Sequence, residues 1–127
     1  MKRDIDLERK ILLKIEEVYE PGQALIDDLS IDDYELPIIA EHCKLLYQQG
    51  LIEEYEEIQF LNGFGGFRIK NMTAQGYDYL AMIRNKKDWE LLKKQADEKN
   101  IPKTINNLTK LGGTFFGAAM KEILNLS

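Results

Sequence analysis

Residues 43–58, CKLLYQQGLIEEYEEI, pass from a helical pattern to a strand-like one without a linker, and this junction constrains the fold more than any other stretch. The helical spacing of apolar residues ends at Gly50, and glycine is the usual residue in the left-handed conformation that stops a helix. Leu51 and Ile52 follow at once and lead into an acid-rich, strand-like segment. The sequence therefore predicts a helix that stops at Gly50 and is joined directly to a β-hairpin.

The segments before the junction predict two helices joined by an extended stretch. Asp4 can cap a first helix with apolar residues at helical spacing, and Pro21 and Gly22 end it. Residues 24–31, ALIDDLSI, are half-alternating, which indicates a short strand or an extended connector. The second helix carries Pro37 in its first turn, a tolerated position. We expect a buried stripe on this helix that packs with apolar residues of other elements: Ile39, Cys43, Leu46, Leu51, Leu12, Ile15 and Leu80.

The segments after the junction predict a hairpin and three helices. Residues 51–61 and 66–72 are strand-like, and the glycine-rich loop 62–66 joins them. Thr73 can cap a third helix, and a fourth helix is rich in charged residues. A last helix is expected to have one apolar side, formed by Ile105, Leu108, Leu111, Phe115, Ala118 and Ile123.

Together these elements predict an α+β fold made of a winged-helix-like domain and a helical extension. The domain, residues 1–85, has the order helix, short strand, helix, two-stranded wing and helix. The usual second helix of a winged helix is shortened or replaced between residues 24 and 33. The extension, residues 86–127, consists of two C-terminal helices that pack on the domain or on a partner.

The residues around the junction match the winged-helix pattern. In that class the DNA-recognition helix ends in Gly-Leu-Ile, here residues 50–52, and the wing returns into Thr-x-x-Gly-x-x-x-Leu, here Thr73, Gly76 and Leu80. The chain as a whole resembles the phage and prophage proteins of domain of unknown function family 2513, through MKRDIDLERKILLKIEE, IAEHCKLLYQQGLIE and the MTAQGYDYL segment that closes with Trp89. The resemblance implies a winged-helix fold and a mobile-element origin, with no established activity.

Charge is distributed unevenly along the chain. Residues 1–60 contain 6 lysines and arginines against 16 aspartates and glutamates, whereas residues 61–127 contain 11 against 6. Such asymmetry indicates either a partner surface or a solvated acidic face. The first residues are charged, no apolar run approaches the roughly 20 residues that span a bilayer, and Cys43 is the one cysteine. We therefore expect a cytoplasmic protein with no membrane partner.

Residue patterns that could carry catalysis or hold a cofactor are incomplete. His42 and Cys43 are neighbours on a helix and point about 100° apart, so they do not form a nucleophile–base pair. Residues 28–32, DLSID, begin like a calcium loop but lack its glycine and its final glutamate. The glycine-rich residues 62–67 lack the helix that follows a phosphate-binding loop. We expect no enzyme activity, catalytic residue, metal, cofactor or small-molecule substrate.

The exposed side chains leave two kinds of partner open, protein and DNA. By analogy with winged helices, Glu41 on the second helix would oppose the phosphate backbone, and Ile38 stands where Arg, Asn or Gln would read a base. Cations on the wing and in the first helix favour DNA instead. We predict contact with a protein or a second copy, with a DNA-binding regulator as the alternative. The candidate DNA or partner surface comprises Lys44, Gln48, Asn62, Phe64, Arg68 and Lys70.

A largely apolar run near the C-terminus, residues 111–120 (LGGTFFGAAM), predicts self-association. Gly113 and Gly117 form a small-x-x-x-small pair that permits close approach of two helices, although this motif is specific only in membranes. Phe116 lies between them and completes the candidate self-association site. The alternative is that the run packs against its own domain.

Overall fold

The computed structural model describes residues 1–114, in which the chain forms five helices and a three-stranded antiparallel sheet, so the predicted α+β class is confirmed. The winged-helix assignment stays a prediction. The chain divides into two compact units, Met1–Ala81 and Met82–Ser127. The elements follow in the order α1 (Ile5–Val18), β1 (Ile26–Asp27), α2 (Leu36–Gln48), β2 (Tyr55–Phe60), β3 (Gly63–Ile69), α3 (Ala74–Ile83), α4 (Lys86–Glu98) and α5, which starts at residue 105 and is described to residue 114.

Helices α1 and α2 begin and end at residues whose chemistry favours a helix end. The Asp4 carboxylate caps α1, as predicted, by accepting a hydrogen bond of 3.0 Å from a backbone N–H of the first turn. Pro37 lies in the first turn of α2, where its missing N–H is not needed. Gly50 has a φ of +77° and stops α2, and the N–H of Leu51 then donates to the carbonyl oxygen of Leu46 (2.9 Å).

The sheet has the order β1-β3-β2, so β3 is its central strand. Ile26 pairs with Ile69 from one side and Tyr55 pairs with Ile69 from the other, both antiparallel. The strand β1, of two residues, decides between the short strand and the connector that the sequence left open for residues 24–31. Phe67 and Ile69 are buried on one face of β3, and Arg68 between them is exposed on the other.

The hairpin differs from the prediction in its loop. The sequence predicts a loop over residues 62–66, but the turn is confined to Leu61 and Asn62, and β3 already begins at Gly63. The pairing register shifts near the middle of the hairpin, which leaves Gly65 as an extra residue in β3. A bulge of this kind accommodates glycine inside a strand, so a glycine-rich sequence need not be a loop.

The bounds of both strands also differ from the prediction: β2 is shorter, and β3 keeps its length of seven residues but begins and ends three residues earlier. β2 begins at Tyr55 instead of residue 51, and β3 ends at Ile69 instead of residue 72. Ile52 and Met72 pair only in an isolated bridge, because bends at residues on either side of Ile52 interrupt the ladder. The residues around Ile52 and Met72 lie where the end of α2 meets the start of α3, and this meeting point is called the α2–α3 junction below.

Hydrogen bonds at the α2–α3 junction fix the base of the hairpin. The Thr73 hydroxyl donates a hydrogen bond to the carbonyl oxygen of Gly50 (2.6 Å) and accepts one from the N–H of Gly76 (3.0 Å), so Thr73 caps α3 as predicted. The N–H of Thr73 donates to the carbonyl oxygen of Leu51 (3.0 Å). A β-carbon at position 76 would overlap this same Leu51 oxygen, so α3 approaches the junction only because Gly76 has no side chain.

The core of the first unit lies between α1, α2 and the sheet. Helix α1 packs on α2, and α2 packs on both β2 and β3. All seven residues expected on the buried stripe and around it are fully buried, which confirms the prediction for Leu12, Ile15, Ile39, Cys43, Leu46, Leu51 and Leu80. The apolar spacing of α1 and α2 was therefore sufficient to identify the buried face of each helix.

The second unit contains α4 and α5. Asn85 caps α4 by accepting a hydrogen bond from the N–H of Asp88 (3.0 Å), and Asn100, with a φ of +54°, follows the end of that helix. The predicted apolar side of α5 is buried at Ile105, Leu108 and Leu111, together with Trp89, Leu92 and Ala96 of α4. The continuation of that side to Phe115, Ala118 and Ile123 lies outside the described residues.

Replacing Gly76 by alanine is expected to lower the free energy of unfolding by about 3 kcal/mol, because the new β-carbon must displace the Leu51 carbonyl or move α3. Gly113→Ala is the matched control. Gly113 is exposed in α5, a β-carbon there would meet no atom within 4 Å, and alanine should stabilise the helix by about 0.5–1 kcal/mol. Urea unfolding followed by circular dichroism measures both changes. A Gly76→Ala protein as stable as the wild type would contradict the close approach.

Candidate functional site

His42 and Cys43, which could have formed a reactive pair, are both built into the core. His42 is fully buried, its Nε2 accepts a hydrogen bond from the N–H of Asp4 (2.9 Å), and its Nδ1 lies 2.8 Å from the carbonyl oxygen of Ile38. A peptide N–H can only donate and a carbonyl can only accept, which assigns the ring hydrogen to Nδ1. The Nε2 bond therefore joins α2 to the residue that precedes α1, and the Nδ1 bond fixes the ring within α2.

Cys43 is fully buried one residue further along α2. Burial raises the pKa of its thiol far above the ordinary value, since the thiolate would lose its hydration. A thiol in this environment behaves as a small apolar side chain. These surroundings give Cys43 a packing role.

An ion pair that was not predicted from the sequence joins the half-buried Arg3, which precedes α1, to the buried Glu8 of the first turn. Glu8 is 3% exposed, and its two carboxylate oxygens accept hydrogen bonds from the Arg3 Nε and Nη2, each of 2.7 Å. Burial, and then the nearby Glu8 charge, raise the pKa of Tyr79, whose ring is also buried. The signal was present in the sequence, because Glu8 falls on the apolar stripe of α1 with Ile11 and Ile15.

Asp28, the first residue of the acidic segment 28–32, serves the fold. Asp28 takes a φ of +43°, its carboxylate accepts a hydrogen bond from the N–H of Phe67 (2.9 Å), and its own N–H donates to the Phe67 carbonyl oxygen (2.9 Å). Asp28 thus extends the pairing of β1 with β3 by one residue. Within residues 1–114, no group of three or more His, Cys, Asp or Glu side chains is placed to hold a metal ion.

The exposed face of α2 is mixed in character. Lys44 and Gln48, two predicted surface residues, are exposed, and Tyr47 beside them is 44% exposed. Ile38 and Leu45 are half-buried. This face therefore offers an aromatic ring and apolar edges as well as one cation.

Arg68, the predicted wing cation, stands between two carboxylates. Its neighbours in register are Asp27 on β1 and Glu56 on β2, and all three are exposed. The Arg68 Nε lies 2.8 Å from Asp27 Oδ1. Lys70, the second wing cation, lies 4.0 Å from a carboxylate oxygen of Glu53. Both cations thus have acidic neighbours, which were not predicted because the register of β3 with the strands beside it is not apparent from the sequence.

The tip of the hairpin carries apolar side chains into solvent. Phe60 is 61% exposed, Leu61 is fully exposed, and Asn62 is exposed. Phe64 is half-buried, with its ring tilted against that of Phe67 at a centroid distance of 6.5 Å. Asn62 and Phe64 are among the predicted surface residues, whereas the exposure of Phe60 and Leu61 was not predicted because both fall in the predicted strand 51–61.

The predicted interaction residues are therefore divided among separate elements. Lys44 and Gln48 lie on α2, whereas the hairpin carries Asn62, Phe64, Arg68 and Lys70, with Lys70 just beyond the end of β3. Gly113, from the predicted self-association site, is exposed in α5, and Phe116 and Gly117 lie outside the described residues. None of the helices in the described part of the chain is long and apolar enough to cross a membrane.

Comparison with known proteins identifies relatives without a known activity. The family described as "Hypothetical protein (DUF2513)" matches residues 2–102. An uncharacterized protein of Haemophilus influenzae is 30% identical over 116 residues, which cover 90% of this chain and 94% of that protein. No solved structure gives a significant match.

The Cys43 thiol is expected to be inert to the thiol reagent DTNB at pH 8 in the native protein, because it is buried and its raised pKa suppresses the thiolate. In urea the same thiol should react completely. A Gln48→Cys/Cys43→Ala protein, with its thiol on the exposed face of α2, is the control and should react at once under native conditions. Rapid labelling of native Cys43 would contradict the burial.

Proposed function

The chain belongs to the DUF2513 family of hypothetical proteins, and on that premise we propose a small accessory protein of winged-helix-like fold that acts through protein–protein contact, without catalysis. The order of α1, β1, α2, β2, β3 and α3 supports the winged-helix part of the proposal. A phage or prophage origin is part of it too, supported by the resemblance of the opening and central segments. The partner is a protein in preference to DNA.

The observation that carries the choice of protein over DNA is the acidic neighbourhood of Arg68. Adjacent strands lie about 4.8 Å apart, well inside the screening length of about 8 Å at physiological salt. A phosphate group approaching Arg68 would therefore meet the unscreened charges of Asp27 and Glu56. The Arg68–Asp27 pair is exposed and weak, so Arg68 could leave Asp27, but the two carboxylates would stay.

The cations in and just before α1 do not make up for the acidic neighbours of Arg68 as a binding surface for DNA. Arg3 is held by the buried Glu8, Lys14 is 3.7 Å from Glu17, and the Lys10 ammonium lies over the Tyr34 ring at 5.4 Å from its centroid. Affinity for nucleic acid depends on cations that release counterions from phosphates, and these cations already have partners. The basic start of the chain thus supports the DNA alternative less than its composition indicated.

The exposed face of α2 supports contact with a protein. A DNA-recognition helix needs side chains that reach base edges, whereas this face has Ile38, Glu41 and Leu45 half-buried and Tyr47 exposed. Tyrosine and apolar edges are typical of protein interfaces, where one side of the ring is buried and the hydroxyl stays in contact with water.

The direct test is capture of a partner with tagged full-length protein in its native cell, followed by reconstitution of the complex from two purified proteins. Isothermal titration calorimetry should then measure a defined stoichiometry and a dissociation constant. A complex that forms only in the presence of nucleic acid, or that nuclease treatment removes, would contradict direct protein–protein contact.

The dissociation constant for duplex DNA is expected to be above about 1 µM at physiological salt. Non-specific complexes with DNA are rarely tighter than this value. Fluorescence anisotropy with random and native-genome duplexes, at low and physiological salt, measures the dissociation constant. Tighter binding that Arg68→Ala or Lys70→Ala abolishes would establish the DNA-regulator alternative. Lys94→Ala is the control for loss of one exposed positive charge, since Lys94 lies on α4 in the second unit.

A further inference from the structure

The tip of the β2–β3 hairpin carries two adjacent large apolar residues that are exposed, Phe60 and Leu61. Leu61 has the greatest exposure of the large apolar residues there, at 111% of its reference area, and the adjacent Phe60 is 61% exposed. Phe60 is the last residue of β2, and Leu61 is the first of the two residues that form the turn. Two large apolar side chains are thus exposed at the tip of the hairpin.

The Phe60 ring packs over Gly65 of the neighbouring strand. A β-carbon at position 65 would lie 3.0 Å from two carbons of the Phe60 ring and 3.0 Å from the carbonyl oxygen of Ile58. Because Gly65 has no side chain, the Phe60 ring can lie across the bulge in β3. An aromatic ring that is already placed loses little conformational freedom when a partner binds it.

The charged residues of the hairpin between positions 54 and 67 have one sign. Residues 54–67 contain three glutamates, Glu54, Glu56 and Glu57, and neither lysine nor arginine. The nearest cation along β3 is Arg68, which pairs with Asp27. A surface of phosphate groups, whether of DNA or of an anionic bilayer, would be repelled by this hairpin.

From these three features we propose that Phe60 and Leu61 anchor the protein in an apolar pocket of a protein partner, and that lysine or arginine side chains of the partner rim that pocket. The inference rests on the proposed function, protein–protein contact, and assigns the surface and the chemistry of the partner. The apolar pair supplies the buried centre of the interface, and the glutamates of β2 meet the basic rim. Charge complementarity at the rim steers the approach of the partner.

The test begins with a photo-crosslinking amino acid at position 61 of the full-length protein, expressed in its native cell. The cross-linked partner is identified, purified and titrated with the uncross-linked protein. Leu61→Asn should weaken the complex by about thirtyfold, the usual effect of losing an interface anchor. Leu91→Asn, the same change at a partly exposed leucine of α4, should leave the affinity unchanged.

The chemistry of the rim is tested at Asn62, which is exposed in the same turn. Asn62→Asp should preserve or strengthen the complex, and Asn62→Lys should weaken it, with both differences shrinking at high salt. The opposite order would overturn the basic rim. Circular dichroism of each variant reports whether the fold is kept, and substitutions at these exposed positions should keep it.

Other outcomes separate the inference from the proposed function. A partner that binds wild type and Leu61→Asn equally, or no protein cross-linked at position 61, would overturn the inference and leave protein contact through another surface. Binding of the tip to phosphatidylcholine vesicles in a flotation assay, with no protein partner for any variant, would overturn both.

Discussion

The hydrogen bond from the Thr73 hydroxyl to the Gly50 carbonyl oxygen, 2.6 Å long, joins the parts of the first unit on which the rest depends. It joins the end of α2 to the start of α3 and thereby fixes the base of the hairpin that lies between them in sequence. Gly50 provides the φ of +77° that stops α2, and Gly76 provides the space in which α3 meets the chain. The Gly-Leu-Ile and Thr-x-x-Gly sequences are thus two halves of one contact.

This frame positions the hairpin, but its charges determine which partners the hairpin suits. Strand pairing places Asp27 and Glu56 on either side of Arg68, so the central cation of the outer face has acidic neighbours on both strands. In our proposal the same frame that presents a hairpin to DNA in winged-helix proteins here presents it to a protein. The apolar tip, Phe60 and Leu61, then provides the contact that the cations do not.

Local patterns predicted the parts of this structure whose causes are local. The Asp4 and Thr73 caps, the stop at Gly50 and the buried stripe through Leu46 follow from short-range chemistry and helical spacing. The predicted bounds of the hairpin loop were wrong because glycine content alone does not distinguish a turn from a bulge, and Gly65 occupies a bulge.

The features that sequence reasoning missed depend on partners far apart in the chain. His42 meets Asp4 across 38 residues, and Arg68 meets Asp27 only because the strand register aligns them. Registers of non-local strands are set by the whole fold, which a local pattern does not contain.

The central claim is that the acidic neighbours of Arg68 weaken the binding of nucleic acid to the hairpin. Neutralising these two carboxylates tests it most directly. In Asp27→Asn/Glu56→Gln the side-chain shapes are kept and both charges are removed. A duplex-binding titration over a range of salt concentrations should give a higher affinity than wild type and a slope of log affinity against log salt steeper by about 1, one phosphate contact. Glu20→Gln/Asp78→Asn, at two exposed acidic residues outside the sheet, is the control for the change in net charge alone. A neutralised hairpin that binds duplex no better than this control, while still folded, would contradict the account.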